Sequence, residues 1–378
     1  MSHKAITKQF KTPFEITSDP EFANSAFIIC FYGSEYPYAK LYNALMELKV
    51  PFIGCMDIAR LEGNEYIMAP DSAVAMCLPK EMVEAVSVVA YDMRKSSSYD
   101  AIRLNAKDQF IRGMEKAGIQ SKAPDLERDL AINLLYGLQS ANPVLEALTD
   151  ESLFLQSVGG SSGGKLDFKS SSVISSKGRG AIGATAFIRL KEEYFFQIER
   201  VSSFEKQNSR LTVTKLSSPR HILEFNGKPA QDEFASAVGK TPAEFSPSLF
   251  AQFTLGVEPG DGEKLITSIM KEDGTGGILT YNDVMPETVF NVYRAISQKD
   301  DRTSKMQRMD GQRLAVYMSF DCVLCYLARE SANEIHLIEE VYAKNLPNIP
   351  KIGFGTFSEN FCGANVNQTE TFLAIYKR

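Results

Sequence analysis

Residues 26–32, AFIICFY, form an unbroken apolar run of strand length, which predicts a strand buried on both faces. In residues 36–48 the apolar positions Leu41, Leu45 and Leu48 recur three and four apart, the spacing of a helix with one buried face. A second short strand, 51–55, then ends in a turn containing glycine. The same succession returns twice: a helix over 142–148, a strand over 153–158 and the turn Gly159-Gly160-Ser161-Ser162-Gly163-Gly164, and later a helix over 335–344, a strand over 351–354 and Gly355. Three such units predict α/β layering with several loops gathered at strand ends, where clefts in open α/β sheets form.

Between 173 and 215 the texture changes to β. SSVISSKGRGAIGATAFIRL, EYFFQIERVSSF and SRLTVTKL are separated by Gly, Glu/Lys and Ser/Asn turns, and read as consecutive antiparallel strands. The Ser-Ser-Pro stretch at 217–219 is a candidate domain boundary. After it come a strand over 222–225, an Asn226-Gly227 turn and a helix over 230–238. Further strands lie near 250–257, 277–281 and 314–320, with helices near 331–344, while the charged segment 300–308 reads as a solvated loop or helix face. The expected architecture is a layered α+β or α/β protein, with antiparallel-rich sheets sandwiched by helices, in two related halves. The division falls into an N-terminal extension (1–24), a first domain (25–218) and a second domain (219–378).

Composition narrows the class. The 378 residues are 44% hydrophobic and 23% charged, too apolar for disorder and long enough for two domains. No apolar run approaches the roughly 18 residues of a membrane span, and the opening MSHKAITKQFKTPFEI has no apolar core or cleavage site, so the expected location is cytoplasmic, with no membrane span. A net charge of −6 without a Lys/Arg cluster argues against nucleic acid as a partner. The cysteines Cys30, Cys55, Cys77, Cys322, Cys325 and Cys362 are scattered, as reduced buried thiols would be. With only His3, His221 and His336, a His-rich metal site is excluded, and no metal is expected.

Several constellations could carry chemistry. Gly159-Gly160-Ser161-Ser162-Gly163 fits G-x-S-x-G, which exposes a nucleophilic serine on a strand-to-helix turn, but the following KLDFKSSSVISSKG has no helical period. Gly159, Gly164 and Lys165 mimic a phosphate loop, yet Leu166 stands where a hydroxyl would hold Mg²⁺. Cys322-Val323-Leu324-Cys325 is a C-x-x-C in a mostly apolar run and has no second half to complete a zinc site, so buried thiols are the simpler reading. Asp321, flanked by Phe320 and Cys322, either faces a cleft or is paired. His221 reads as a surface or hydrogen-bonded histidine. Glu359, Asn365 and Asn367 gather in a Gly-containing loop that caps its own turns or converges on a ligand.

Read in order, these stretches resemble the FIST family of intracellular signal-transduction domains. IICFYGSEYPYAKLYNALMELKVPFIGC resembles the family's opening strand, helix and Ile-Gly-Cys turn, and LLYGLQSANPVLEALTDESLFLQSVGGSSGG its second helix, strand and Gly-Gly-Ser turn. LTVTKLSSPRHILEFNGKPAQDEF resembles the step into a strand ending Asn-Gly-x-Pro-Ala, where the second half begins. MSFDCVLCYLARE is similar to its Phe-x-Cys segment, and GFGTFSENFCGANVNQTETFLAIYKR to its closing loop and last strand. The resemblance implies a stand-alone sensor that binds a small polar ligand, such as an amino acid or related metabolite, and signals through a separate partner such as a kinase or cyclase. It implies no cofactor, except in a haem-binding variant whose axial ligand would be His221, His336 or a Cys. The expected ligand-binding residues are Glu359, Asn367, Gly159, Gly160, Ser161, Ser162, Asp321 and Cys55, and no catalytic residue is expected. The alternatives are a serine hydrolase using Ser161 and a protein-interaction scaffold without a small-molecule site.

Overall fold

The computed structural model describes residues 4–91, 98–137, 142–150, 153–166, 169–181, 183–260 and 263–378. Three of its four sheets share one strand order: an edge strand, an antiparallel strand, two parallel strands, then a hairpin. The first sheet runs Ile6–Phe10, Ala73–Leu78, Phe27–Gly33, Phe52–Asp57, then Val173–Ser175 with Gly178–Ala181. The second runs Val83–Tyr91, Gly183–Leu190, Asp129–Tyr136, Gln156–Ser162, then Glu359–Phe361 with Ala364–Val366. The third runs Tyr194–Val201, Glu370–Lys377, Leu314–Cys322, Lys351–Thr356, then Arg60–Glu62 with Glu65–Ile67. In each, the parallel pair is joined through helix: Tyr38–Glu47, Asn142–Thr149, or the two helices Val323–Ser331 and Ile335–Asn345. These are the three helix–strand–turn units that the hydrophobic pattern marks.

No unit keeps its own hairpin. The hairpin after Phe52–Asp57 pairs with Lys351–Thr356, the one after Gln156–Ser162 has Phe52–Asp57 as its partner, and the one after Lys351–Thr356 pairs with Gln156–Ser162. This cyclic exchange closes three sheets around one apolar core. Alternate residues of every central strand enter it: Phe27, Ile29 and Phe31 from the first sheet, Leu130, Ile132 and Leu134 from the second, Val316, Met318 and Phe320 from the third. Across the core Phe31 meets Phe354 with ring centroids 4.6 Å apart. The opposite faces are covered by helices. Leu41 and Leu45 pack on the first sheet, Phe110, Met114 and Leu145 on the second, Ile338, Val341 and Tyr342 on the third. Burial on both faces is why these strands read as apolar runs.

The fourth sheet, of eight strands, is built by the second half together with Phe204–Ser218, and has its own core around Phe225, Phe234, Phe250 and Val292. The expected Asn226-Gly227 turn, with φ of 55° and 78°, joins His221–Phe225 to Lys228–Pro229. The segment 1–24, expected as an extension, contributes the first sheet's edge strand, Ile6–Phe10.

Two expectations change. The run 173–215 does form strands, and the first two, Val173–Ser175 and Gly178–Ala181, are antiparallel neighbours as expected, but Gly183–Leu190, Tyr194–Val201 and Phe204–Ser218 each join a different sheet. Period-two alternation reports a half-buried strand and not its partner, and Gly183–Leu190 and Tyr194–Val201 find theirs far away in sequence. The charged segment 300–308 lies mostly in the helix Gln298–Met306, which is not merely solvated, because Arg302 on it is 1% exposed. No described helix is long and apolar enough to cross a membrane.

Candidate functional site

The three units agree residue by residue where their second parallel strands end. Ile53-Gly54-Cys55-Met56-Asp57, Val158-Gly159-Gly160-Ser161-Ser162 and Ile352-Gly353-Phe354-Gly355-Thr356 place a glycine opposite Cys30, Asn133 and Ser319 respectively. A Cβ on Gly54 would lie 2.3 Å from Cys30 Sγ, on Gly159 1.9 Å from the Asn133 carbonyl oxygen, and on Gly353 2.6 Å from that of Ser319. Glycine is therefore required by close strand approach. One residue on, Cys55, Gly160 and Phe354 pair with the swapped hairpin residues Val173, Glu359 and Arg60. One carboxyl group, Glu359, and one arginine, Arg60, thus sit at equivalent positions at the carboxyl ends of parallel strands, where α/β sheets place ligands.

Glu359 is fully buried. Thr356 Oγ1 donates to its Oε1, the Cys322 thiol lies against it, and Oε2 has no partner among the described residues. Burial pushes its pKa well above the usual carboxyl range, although Thr356 and Cys322 pull the other way. The equivalent turn of the first unit repeats this arrangement with a charged partner. Arg60 Nη1 donates to Asp57 Oδ1 at 2.5 Å, and Arg60 Nη2 to the Ala69 carbonyl, while Asp57 Oδ2 and Arg60 Nε have no described partner. Burial lifts Asp57 to about 7 against the pull of Arg60. Arg60 stands opposite Phe354, two residues before Thr356, so the two turns adjoin.

Gly160 is the strand partner of Glu359, and Gly159 that of Asn360. Ser161 lies inside a strand rather than on a strand-to-helix turn, and its Oγ accepts from Ser358 Oγ at 2.9 Å. Ser162 bonds Ser171 Oγ at 2.8 Å and donates to the Ser172 carbonyl, and Ser172 in turn bonds the Tyr32 hydroxyl at 2.9 Å. Cys55 faces the central core at the register position that Gly160 holds in the second sheet, its thiol pushed well up by burial.

Two residues point elsewhere. Asp321 lies on the helix-covered face of its strand and is paired. It accepts from Arg302 Nη2 at 2.7 Å, from Arg329 Nη2, and from the Tyr66 hydroxyl at 3.0 Å. Burial alone would raise its pKa, but the two arginines outweigh that and hold the carboxyl below the usual range. Glu370 completes the cluster, accepting from Arg302 Nε, Tyr317, Ser319 and Tyr342 at 2.7–2.9 Å. Asn367 is 1% exposed and turned toward the fourth sheet, its N–H donating to the Ile266 carbonyl at 3.4 Å and its Oδ1 unpartnered among the described residues.

Asp57, Arg60 and Thr356 lie at these turns but are not among the residues expected from the sequence. Their signal is there in retrospect: Asp57-x-x-Arg60 and Thr356-x-x-Glu359 share an i, i+3 spacing after an Ile-Gly step. The C-x-x-C stands where a strand becomes a helix, but Cys322 is fully buried, with its thiol pKa raised by burial, and Cys325 is buried as well.

His221 bonds Ser217 Oγ through Nδ1 at 2.6 Å and Asp273 through Nε2 at 2.7 Å, which occupies both ring nitrogens, and His336 is exposed on a helix. His3 lies outside the described residues. Among the described residues no three His, Cys, Asp or Glu side chains cluster to hold a metal.

With this geometry in view, comparison with known proteins supplies the class. The FIST N domain model matches residues 26–228 and the FIST C domain model residues 230–362. The chain belongs to the FIST family, whose domains are sensory signal-transduction modules. No curated protein matches it by sequence. Among solved structures it is similar to a cyanuric acid hydrolase described as an evolutionary innovation by structural concatenation (8% identity, all of both chains, TM-score 0.41). A chorismatase (8% identity, 98% of both chains, TM-score 0.38) and the A. caulinodans cyanuric acid hydrolase (8% identity, 99% of both chains, TM-score 0.39) are also similar.

Proposed function

We propose that this protein is a cytoplasmic sensor that binds a small polar metabolite, of the amino-acid class, at the strand ends of the three-sheet core. In this reading it passes its state to a separate partner such as a kinase or cyclase, and works by binding rather than catalysis. The observation that carries the reading is the set of buried, unsatisfied groups at adjoining turns: Glu359 Oε2, Asp57 Oδ2 and Arg60 Nε. An unmet buried polar atom costs about 1–3 kcal/mol, so a ligand that satisfies several recovers that energy. Glu359 would meet an amine or hydroxyl, and Arg60 a carboxylate.

Because Glu359 is fully buried, a ligand reaches it only if the segment around it opens. Occupancy would therefore be coupled to conformation, which is what a sensor requires. The engaged Ser161 hydroxyl supports binding over acyl transfer.

A thermal-shift screen of the twenty amino acids and their decarboxylated or hydroxylated relatives tests the reading. At about 100 times Kd a ligand adds roughly 2.7 kcal/mol, a rise of several degrees in Tm. At least one compound should give such a rise, and Glu359→Gln should abolish it. A flat screen, or a shift unchanged in the variant, overturns the proposal.

A further inference from the structure

A second cavity lies away from these turns, at the junction between the fourth sheet and the third unit. Its volume is about 640 Å³, within the range of small-molecule sites. One wall is the helix Pro247–Gln252 and the strand Ile269–Glu272, through Phe250 and Ile269. The other is the helix Val323–Ser331, through Leu324, Leu327 and Ala328. Among the described residues no Asp, Glu, Lys or Arg lines it, in a chain that is 23% charged.

The polar groups in the lining are neutral. Gln368 is 6% exposed, and its Oε1 already accepts from Ser268 Oγ at 3.0 Å, which leaves its amide N–H groups to donate. Burial raises the Tyr281 pKa, so its hydroxyl stays neutral and is a second donor at the cavity. A carboxylate or ammonium buried here would find no counter-charge among the described lining residues, so the site favours a neutral occupant.

We propose that this cavity binds a neutral, largely apolar small molecule carrying one acceptor oxygen, a ketone, ester or lactone, with that oxygen toward Gln368 and Tyr281. Its occupant would press on the helix Val323–Ser331, whose other side carries Arg329, hydrogen-bonded to Asp321, and Cys325, whose free thiol lies against that of Cys322, which touches Glu359. The site is independent of the polar-ligand reading, and either can fail alone.

Nile red, itself neutral, apolar and carbonyl-bearing, serves as the probe, titrated into the full chain and followed by emission. The expected result is saturable binding of one dye per chain, weakened tenfold or more in Ala328→Trp and in Ala251→Trp, which fill the cavity from opposite walls, with circular dichroism reporting their fold. In wild-type protein at pH 8, 2-undecanone should displace the dye and decanoate should not. Absence of saturable binding, binding unchanged in a folded variant, or equal displacement by the carboxylate overturns the proposal. The displacement experiment uses only the wild-type chain, so it decides the question even if neither variant folds.

Discussion

Single residues at the strand ends carry more constraint than their chemistry suggests. Gly159 has φ 154°, and a side chain there would drive into the backbone of Asn133, which cannot give way without parting two paired strands. Gly227, also at positive φ, faces open space. Gly159→Ala should therefore cost more than about 3 kcal/mol, whereas Gly227→Ala costs about 1 kcal/mol, the penalty of a left-handed turn alone. Urea denaturation of both variants checks this, and equal losses would contradict the close-packing argument. The run of glycines and serines at 159–164 was legible as special, but its reason was not. The sequence suggested a loop facing a ligand, whereas Gly159 is needed for strand packing and Ser161 sits inside the strand. Gly160 is the strand partner of Glu359 and so adjoins the candidate site.

At the scale of elements, the third unit is fastened by charge as well as by apolar contact. Arg302 and Arg329 face Asp321 and Glu370, so the buried cluster is balanced, and Tyr66 brings the hairpin of the first unit into it. Removing one member leaves an uncompensated charge in the interior, which typically costs about 3–5 kcal/mol. Asp321→Asn should lose that much stability at pH 7. The sign of its pH dependence follows from the lowered pKa. The stabilisation from Asp321 is present above the unfolded-state pKa of about 3.9 and is lost as pH falls through the lower folded value. The difference between variant and wild type should therefore be full at pH 7 and narrow at pH 3. Denaturation midpoints at the two pH values measure it, and a difference that widens in acid would refute the assignment. Asp321 was legible as a buried carboxylate with two readings. Its partners come from helices and a hairpin up to 255 residues away, and nothing in the neighbouring sequence names them.

At the scale of the whole molecule, the exchange of hairpins makes the two halves interdependent. Residues 1–228 expressed alone would lack Lys351–Thr356 to pair with Arg60–Glu62, and Glu370–Lys377 to pair with Tyr194–Val201. The third sheet would be absent and one side of the central core exposed. Such a fragment should give neither near-ultraviolet circular dichroism nor a cooperative urea transition. A fragment that unfolds as sharply as the full chain would show that the first half closes its own core.

The sequence by itself determined the elements, because helix and strand periodicity and turn chemistry are local. Leu41 and Leu45, the apolar run at 26–32 and Asn226-Gly227 each fix a structure within a few residues. It also determined the family, through the order of motifs along nearly the whole chain. Tertiary structure alone decided which strands are neighbours. Val173–Ser175, Gly183–Leu190, Tyr194–Val201 and Phe204–Ser218 follow one another in sequence and lie in four sheets, because pairing depends on which distant edge remains open and which face must be buried. For the same reason only the folded chain could set the Asp57–Arg60 turn beside Thr356 and Glu359, and line a cavity with helices from two separate bodies.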